Sequence, residues 1–299
     1  MSFSYTVKSE LEKKIGKARH CKLAELAAIL SSSGEEGLDF ISLKTDKRPV
    51  ANKLYLLIKE LFNYTPEIIV RTNQYLVVII DCEVVKRIKE AIKLQSFNET
   101  VPEILIQSSC CKRAFLRGCF MCNGSVSDPE KSYHLEFVVN NLERAKQLVE
   151  MLRTFEVEAK IVKRKSSQVV YIKEGRQIVD VLNVIEAPIA LMNYENTRIR
   201  REIKGKINRQ VNCDTANISK TVSAAIEQIN DIKLISETKG LESLSVELQQ
   251  TAKLRLENPE MPLKELGELM NPPVGKSGVN HRLKKLRSIA NHIRTHEEE

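Results

Sequence analysis

Residues 262–293 read PLKELGELMNPPVGKSGVNHRLKKLRSIANHI and contain two helical patterns separated by a break. Pro262 suits a first helical position, and the apolar residues that follow it lie on one helical face. Pro272 and Pro273 cannot continue that helix, so the chain must turn after it. Ser277 is a suitable N-cap for a second helix. The segment therefore predicts a helix-turn-helix.

The second predicted helix has an apolar side and a basic side. Its apolar side repeats at helical spacing and consists of Val279, Leu283, Leu286, Ala290 and Ile293. No Asp or Glu occurs between Glu268 and Glu297, so the other sides are basic or neutral. A cationic helix after a turn is typical of a recognition helix in the major groove of DNA, although a solvated basic surface has the same pattern.

We expect this second helix to bind double-stranded DNA. Its Lys and Arg side chains would attract phosphates, whereas neutral polar side chains near its start would contact base edges. The residues expected to hold phosphates are Lys276, Arg282, Lys284, Lys285 and Arg287. Those expected to reach base edges are Ser277, Asn280 and His281.

The composition is that of a basic chain long enough for more than one domain. Its 299 residues include 47 Lys and Arg against 39 Asp and Glu, and the net charge of +8 favours a polyanionic partner. Apolar runs such as residues 76–80 are far too short to span a bilayer. The first residues lack the apolar region of a signal peptide, and seven cysteines, an odd number, fit reduced thiols. We therefore expect a cytoplasmic protein with no membrane partner.

The first two thirds of the chain contain a duplication. Helix, strand, helix, hairpin and helix patterns follow one another twice, and Gly34 and Gly124, which end the first helix of each copy, lie 90 residues apart. The first copy has helices at 23–33, 50–62 and 84–94, a strand at 38–43 and a hairpin of 68–70 with 75–80. The second copy has helices at 112–122, 142–155 and 177–184, a strand at 133–139 and a hairpin of 159–162 with 168–172. Two α+β repeats, each with a small antiparallel sheet, are therefore expected.

The helix before each of these glycines resembles the nine-residue LAGLIDADG helix of homing endonucleases. Residues 116–124 read LRGCFMCNG, and residues 26–34, LAAILSSSG, are a weaker copy. The resemblance implies that the two helices pack at a pseudo-two-fold axis, where those enzymes carry a metal-binding acid before the final glycine. Ser33 and Asn123 stand at these positions, and neither supplies an anionic oxygen for Mg²⁺. We therefore expect the fold without cleavage, with no catalytic residue.

Other candidate metal ligands are expected to be structural or solvated. Cys119 and Cys122 have metal-ligand spacing, and Cys110 and Cys111 lie nearby in the sequence. Cys119 and Cys122 fall, however, on the helix where small side chains allow close packing. A zinc or redox site is the alternative. The five histidines show no metal spacing, so we expect neither metal nor cofactor. The acids nearest to the degenerate positions, which we expect to face solvent, are Glu35, Glu36 and Asp128.

Two further basic segments are candidates for phosphate contact. Residues 198–209 carry several Arg and Lys side chains at the start of the predicted linker, and a solvated helix face is an equal alternative there. The second predicted hairpin carries Lys160, Lys163, Arg164 and Lys165.

Across its length, from near Ser2 to near Ile293, the chain resembles the WhiA family. The specific segments are FLRG at 115–118, GSVSDP at 124–129, NRQVNCDTAN at 208–217 and SGVNHRL at 277–283. This family joins a degenerate LAGLIDADG-like domain to a C-terminal helix-turn-helix. The resemblance implies a bacterial, nucleoid-associated DNA-binding protein that acts in cell division and chromosome segregation as a transcriptional regulator. Other transcription or division proteins are candidate partners.

We therefore predict an α+β tandem-repeat domain with two small antiparallel sheets, followed by an all-α helix-turn-helix domain. The predicted boundaries are 1–95 and 96–190 for the repeats, 191–240 for a basic helical linker and 241–296 for the helix-turn-helix. The predicted function is DNA binding without catalysis. The alternatives are an active or nicking endonuclease of LAGLIDADG type, and a sensor whose repeat domain binds a ligand or protein and controls DNA binding.

Overall fold

The computed structural model describes residues 2–37 and 39–297, which divide into two compact units at residues 203 and 204. Each unit has its own apolar core. The predicted fold class is confirmed: two small antiparallel sheets with helices are followed by an all-α region. Within the described residues, no helix combines the length and the apolar character needed to cross a membrane.

The first repeat contains the predicted helices and strands in the predicted order, preceded by one helix that was not predicted. Its elements are α1 (Phe3–Glu12), α2 (Arg19–Ser33), β1 (Gly34–Glu36), β2 (Ile41–Thr45), α3 (Arg48–Phe62), β3 (Glu67–Arg71), β4 (Gln74–Ile79) and α4 (Cys82–Ile92). α3 ends at Asn63, which adopts a left-handed conformation. Asp81 starts α4, because its carboxylate accepts from the N–H groups of Glu83 and Val84 at 2.9 and 3.0 Å.

The second repeat has the same order as the elements from α2 to α4, after a short 3-10 turn, Glu103–Leu105. Its elements are α5 (Ser109–Asn123), β5 (Gly124–Val126), β6 (Leu135–Val139), α6 (Leu142–Arg153), β7 (Lys160–Arg164), β8 (Ser167–Ile172) and α7 (Gly175–Val184). Asn141 caps α6 by accepting from Arg144 N–H at 2.9 Å. The predicted duplication is thus present from α2 to α4 and from α5 to α7, whereas α1 has no helical counterpart among the described residues of the second repeat.

Each repeat contains one four-stranded antiparallel sheet, with strand orders β1-β2-β4-β3 and β5-β6-β8-β7. The registers correspond, since Gly34 pairs with Leu43 in one sheet and Gly124 with Phe137 in the other. β1 and β5 were not predicted, because three-residue strands that follow a helix directly have no measurable alternation. β2 starts at Ile41, later than predicted, and the predicted start, Leu38, lies outside the described residues.

The centre of the first unit is the pair α2 and α5. Leu26, Leu30, Leu116 and Phe120 are fully buried in it. The helices approach closely at Gly118, where a Cβ would lie 2.7 Å from the Glu25 carbonyl oxygen. Small residues therefore bring the two backbones together, and the C-terminal ends of α2 and α5 carry Ser33 and Asn123.

The second unit is a small helical domain. The helix α8 (Pro188–Thr238) covers most of the predicted linker and contributes residues to both units. It is followed by a 3-10 turn, α9 (Val246–Glu257), α10 (Leu263–Glu268) and α11 (Lys276–Glu297). The core of this unit is built from Ile232, Ile235, Leu244, Leu248, Ala252, Leu266, Met270, Val279, Leu283, Leu286, Ala290 and Ile293.

Candidate nucleic-acid interface

Gly267 holds the turn between α10 and α11. Its carbonyl accepts from Val274 N–H at 2.9 Å, and a Cβ at this position would collide with the Val274 carbonyl oxygen. Glycine therefore allows the turn to fold back onto α10. The break predicted from Pro272 and Pro273 is confirmed, although Pro262 precedes the first helical residue rather than occupying it.

α11 begins one residue before the predicted N-cap, Ser277. Val279 N–H donates to the Gly275 carbonyl at 3.1 Å, so Lys276 already belongs to the first turn. The assignment of Ser277 as the cap was wrong, because the backbone carbonyl of Gly275 starts the helix without a capping side chain. Ser277 and Lys276 are both exposed in this first turn.

The predicted apolar stripe of α11 is confirmed as its buried side. Val279 and Ala290 are fully buried, and the other members of the stripe are nearly so. At about 100° per residue, the opposite side of the helix carries Ser277, His281, Lys284 and Lys285. All four side chains are exposed. No ion pair within the described residues involves either lysine.

The arginines of α11 differ from these lysines because acids of the same unit contact them. Arg287 Nη1 lies 2.9 Å from Glu227 Oε2, and both side chains are more than half exposed. The Arg282 guanidinium is mostly buried, lies 3.9 Å from Glu247 and donates to Met270 Sδ at 3.6 Å. An exposed ion pair contributes little stability, so Arg287 can exchange Glu227 for another anion. Arg282 is held more firmly, because its side chain is also packed within the second unit.

Asn280 lies on the flank of α11 rather than opposite the stripe. Together with Lys276 it lines a cleft of about 360 Å³ within the second unit, which Lys220 and Thr221 of α8 also line. The floor of this cleft includes Arg255, which donates to Gln228 at 3.0 Å and to the Met261 carbonyl at 2.7 Å. Asn280 is therefore less directly presented than His281.

The ends of α2 and α5 lack the acids of a metal-dependent nuclease. Ser33 and Asn123 are both half-buried there. The charges nearby are positive. Lys8 and Arg144 both lie close enough to the Cys122 thiol to favour its charged form, and this thiol contacts Ser33. Lys8 is buried without a hydrogen-bond acceptor among the described residues, and burial lowers its pKa to about 7. Cationic surroundings repel Mg²⁺ in addition to the loss of anionic ligands.

The acids nearest to these positions have other partners or face solvent. Glu35 is exposed, as predicted. Glu36 is not, because its carboxylate lies 2.9 Å from Lys89 Nζ and accepts from Phe97 N–H at 3.1 Å. Burial acts to raise the pKa of Glu36, but these hydrogen bonds lower it overall. Asp128 is half-buried and accepts from Glu130 N–H at 2.9 Å, so it shapes a turn.

Mg²⁺ is expected to leave the melting temperature of the wild-type chain unchanged. The variant Ser33→Asp with Asn123→Asp should show only a small rise with Mg²⁺, because Lys8 and Arg144 compensate the new carboxylates. Adding Lys8→Met should enlarge the rise, since one competing cation is gone. Thermal melts with and without Mg²⁺ measure the rise in melting temperature of each chain, with Lys8→Met alone as the control. A rise in the wild type as large as in the triple variant would contradict it.

The other two basic segments, the second hairpin and residues 198–209, differ in whether their cations contact other side chains. Exposed cations on the second hairpin are Lys160, Lys163, Arg164 and Lys165. In the segment 198–209, Arg198 pairs with Glu195 at 2.7 Å, and the Arg201 guanidinium lies 4.9 Å from the centre of the Tyr133 ring. The start of that segment is therefore fixed within the first unit.

The cysteines fall into two groups. Burial raises the pKa of Cys119 to about 12 and that of Cys122 to about 11, which keeps both as neutral thiols suited to packing. The other pair, at the start of α5, instead lies beside His20 and Cys21. Spacing along the chain missed this second group, although the duplication was the signal that could have found it.

Three family models match the chain in succession. A WhiA N-terminal LAGLIDADG-like domain matches residues 19–81, a WhiA LAGLIDADG-like domain matches 112–204 and a WhiA C-terminal HTH domain matches 207–290. A probable cell division protein WhiA of Lachnoclostridium phytofermentans is 49% identical over 312 residues, which cover 98% of this chain and 100% of that protein. A protein of the same description from Alkaliphilus oremlandii is 45% identical over 97% of each chain.

Solved structures are similar as well. The crystal structure of full-length DUF199/WhiA from Thermatoga maritima matches with a TM-score of 0.62 at 27% identity, over 98% of this chain and 99% of that one. The N-terminal LAGLIDADG domain of DUF199/WhiA matches with a TM-score of 0.51 at 24% identity, over 62% of this chain and 92% of that one. The second likeness supports the fold alone.

Proposed function

This chain belongs to the WhiA family, and we propose that it is a bacterial DNA-binding protein that acts without catalysis. The observation that carries the proposal is the two-sided character of α11. Its apolar stripe is buried, whereas Lys284 and Lys285 are exposed and have no ion-pair partner in the described part of the chain. Such a helix can offer its charge to phosphate without giving up its packing.

In the binding mode that we propose, the residues that attract phosphates differ from the residues that contact base edges. Lys284 and Lys285 displace counterions from phosphates, and Lys276 adds a contact at the start of α11. The unpaired N–H groups of the first helical turn favour a phosphate at the same end. Ser277 and His281 share the side of the lysines, so they are best placed to reach base edges.

In this proposal, Arg282 and Arg287 can contact phosphate only after they leave their partners in the protein. Arg287 contacts phosphate only when it exchanges Glu227 for DNA, which costs little because that pair is solvated. Arg282 has to leave both Glu247 and the Met270 sulfur, so its contribution is smaller.

Loss of salt-dependent binding would remove the basis of this proposal. If about four to six phosphates are contacted, the logarithm of the affinity should fall against the logarithm of the salt concentration with a slope near −4 to −5. Fluorescence anisotropy with a labelled duplex at several salt concentrations measures it. A slope near zero would contradict binding through α11.

In the cell, we propose that this DNA binding serves cell division and chromosome segregation through control of transcription. The support is the name of the relatives, probable cell division protein WhiA, together with the helix-turn-helix. Chromatin immunoprecipitation with sequencing tests it, with the Lys284→Glu, Lys285→Glu variant as the control. The wild type should be enriched at promoters of a defined gene set, and the variant should not. Equal profiles for both chains would contradict the proposal.

His281→Ala is expected to reduce sequence discrimination more than Asn280→Ala does. His281 faces away from the buried stripe, whereas Asn280 lines the flanking cleft. On the preferred duplex found by immunoprecipitation, His281→Ala should cost about 1–3 kcal/mol, and binding to a scrambled duplex should change little. Competition between the two duplexes measures the difference. A larger discriminating effect of Asn280 would reverse the assignment.

A further inference from the structure

Three thiols and one imidazole meet at the N-terminal ends of α2 and α5. The side chains are those of His20, Cys21, Cys110 and Cys111, and their Nδ1 or Nε2 and Sγ atoms all lie within 4.8 Å of one another. His20 Nδ1 is 3.0 Å from Cys111 Sγ and 3.5 Å from Cys21 Sγ. Cys21 and Cys111 are buried, whereas the other two residues are exposed, so the group is accessible from solvent.

The duplication explains why these residues meet. His20 and Cys21 precede Cys110 and Cys111 by 90 residues, which is also the separation of Gly34 and Gly124. Both pairs therefore occupy equivalent positions, the second and third residues of α2 and of α5. The degenerate positions Ser33 and Asn123 end the same two helices, about 20 Å away along each helix.

The donor set fits one tetrahedral zinc ion. Zinc binds thiolate sulfur at about 2.3 Å and imidazole nitrogen at about 2.0–2.1 Å, and three cysteines with one histidine form a closed structural site. These bond lengths place the donor atoms about 3.8 Å or less from one another. The present separations, all within 4.8 Å, need only small side-chain rotations to reach that geometry.

We propose that His20, Cys21, Cys110 and Cys111 bind one zinc ion that ties the two repeats together at this end of the α2–α5 pair. Binding converts three thiols to thiolates and releases three protons, while the imidazole binds as the neutral base. The resulting site carries one net negative charge. The N–H groups of the first turns of two helices stabilise that charge.

The close approach of three thiols, with all donor atoms within 4.8 Å of one another, itself favours a divalent cation. Crowded thiols of this kind are unfavourable as anions by themselves, and a divalent cation reverses the effect. A disulfide would use two of the sulfurs and would leave the third sulfur and the imidazole without a role.

Metal analysis of the full-length chain, purified under reducing conditions, tests the proposal. We expect about one zinc per chain, and Co²⁺ added to the metal-free chain should give the absorption of tetrahedral cobalt with thiolate ligands. Zinc should also raise the melting temperature of the wild type. Metal content far below one per chain together with no cobalt spectrum would overturn the proposal. So would mass spectrometry that shows a Cys21–Cys111 disulfide in place of metal.

Variants locate the site within the chain. Cys110→Ser changes an exposed ligand, so the fold should survive, and its zinc affinity should fall at least about 100-fold. Cys111→Ser should have the same effect and lose the cobalt spectrum. Cys82→Ser and Cys213→Ser remove exposed cysteines outside the cluster and serve as matched controls with unchanged affinity. Undiminished zinc binding by folded Cys110→Ser and Cys111→Ser chains would place the metal elsewhere and refute the site.

Discussion

Replacing Lys284 and Lys285 by glutamate is expected to weaken binding to duplex DNA by at least about 30-fold near physiological salt. Each phosphate contact multiplies the affinity by roughly fivefold at about 0.15 M salt, and two contacts would be lost. Repulsion between glutamate and phosphate adds to this loss. The slope of log affinity against log salt should become shallower by about 2. Fluorescence anisotropy over a range of salt concentrations measures both quantities.

The fold of this variant should be preserved, because both lysines lie on the side of α11 opposite the buried stripe. A matched control is Lys233→Glu with Lys239→Glu, which makes the same change of charge at exposed positions outside α11. The control should lose much less affinity. Equal losses in the two double variants would mean that net charge, and not α11, governs binding.

Glu25→Gln is expected to lower the free energy of unfolding by about 3–5 kcal/mol. Glu25 is fully buried between the two repeats. Its carboxylate accepts from Arg117 Nε and Nη2, both at 2.9 Å, and lies 2.9 Å from Lys53 Nζ. The amide cannot neutralise either cation, so the variant leaves two buried positive charges with too little compensation. Urea denaturation followed by circular dichroism measures the change.

A matched exposed pair serves as the control for this effect. Lys146 and Glu143 lie 3.0 Å apart on α6, and both side chains are more than half exposed. Glu143→Gln should therefore change the free energy of unfolding by no more than about 0.5 kcal/mol. A Glu25→Gln chain within about 1 kcal/mol of the wild type would show that the buried network is not a main support of the repeat domain.

Patterns of local spacing predicted most of the fold. The stripe of α11 and the break before it depend on neighbouring residues, so the sequence alone was sufficient to predict both. β1 and β5 were missed because each has three residues and follows a helix without a turn. The N-cap of α11 was misassigned because a backbone carbonyl, which every residue has, starts that helix.

Contacts between distant residues could not be predicted in this way. The pairing of Arg287 with Glu227 depends on how α8 and α11 pack, which no spacing along the chain reveals. The contacts of Glu25 with Lys53 and Arg117 likewise join three helices. The cluster of His20 with Cys111 is different, because aligning the two repeats at Gly34 and Gly124 would have superposed its halves.

A mobility-shift experiment on supercoiled plasmid in the presence of Mg²⁺ tests the central claim most directly. The wild-type chain should retard the plasmid, and after removal of the protein the plasmid should still be fully supercoiled. This result combines DNA binding with the absence of cleavage, the two parts of the proposed function. An unretarded plasmid would contradict DNA binding, and nicked or linear plasmid from the wild-type chain would contradict a fold without catalysis.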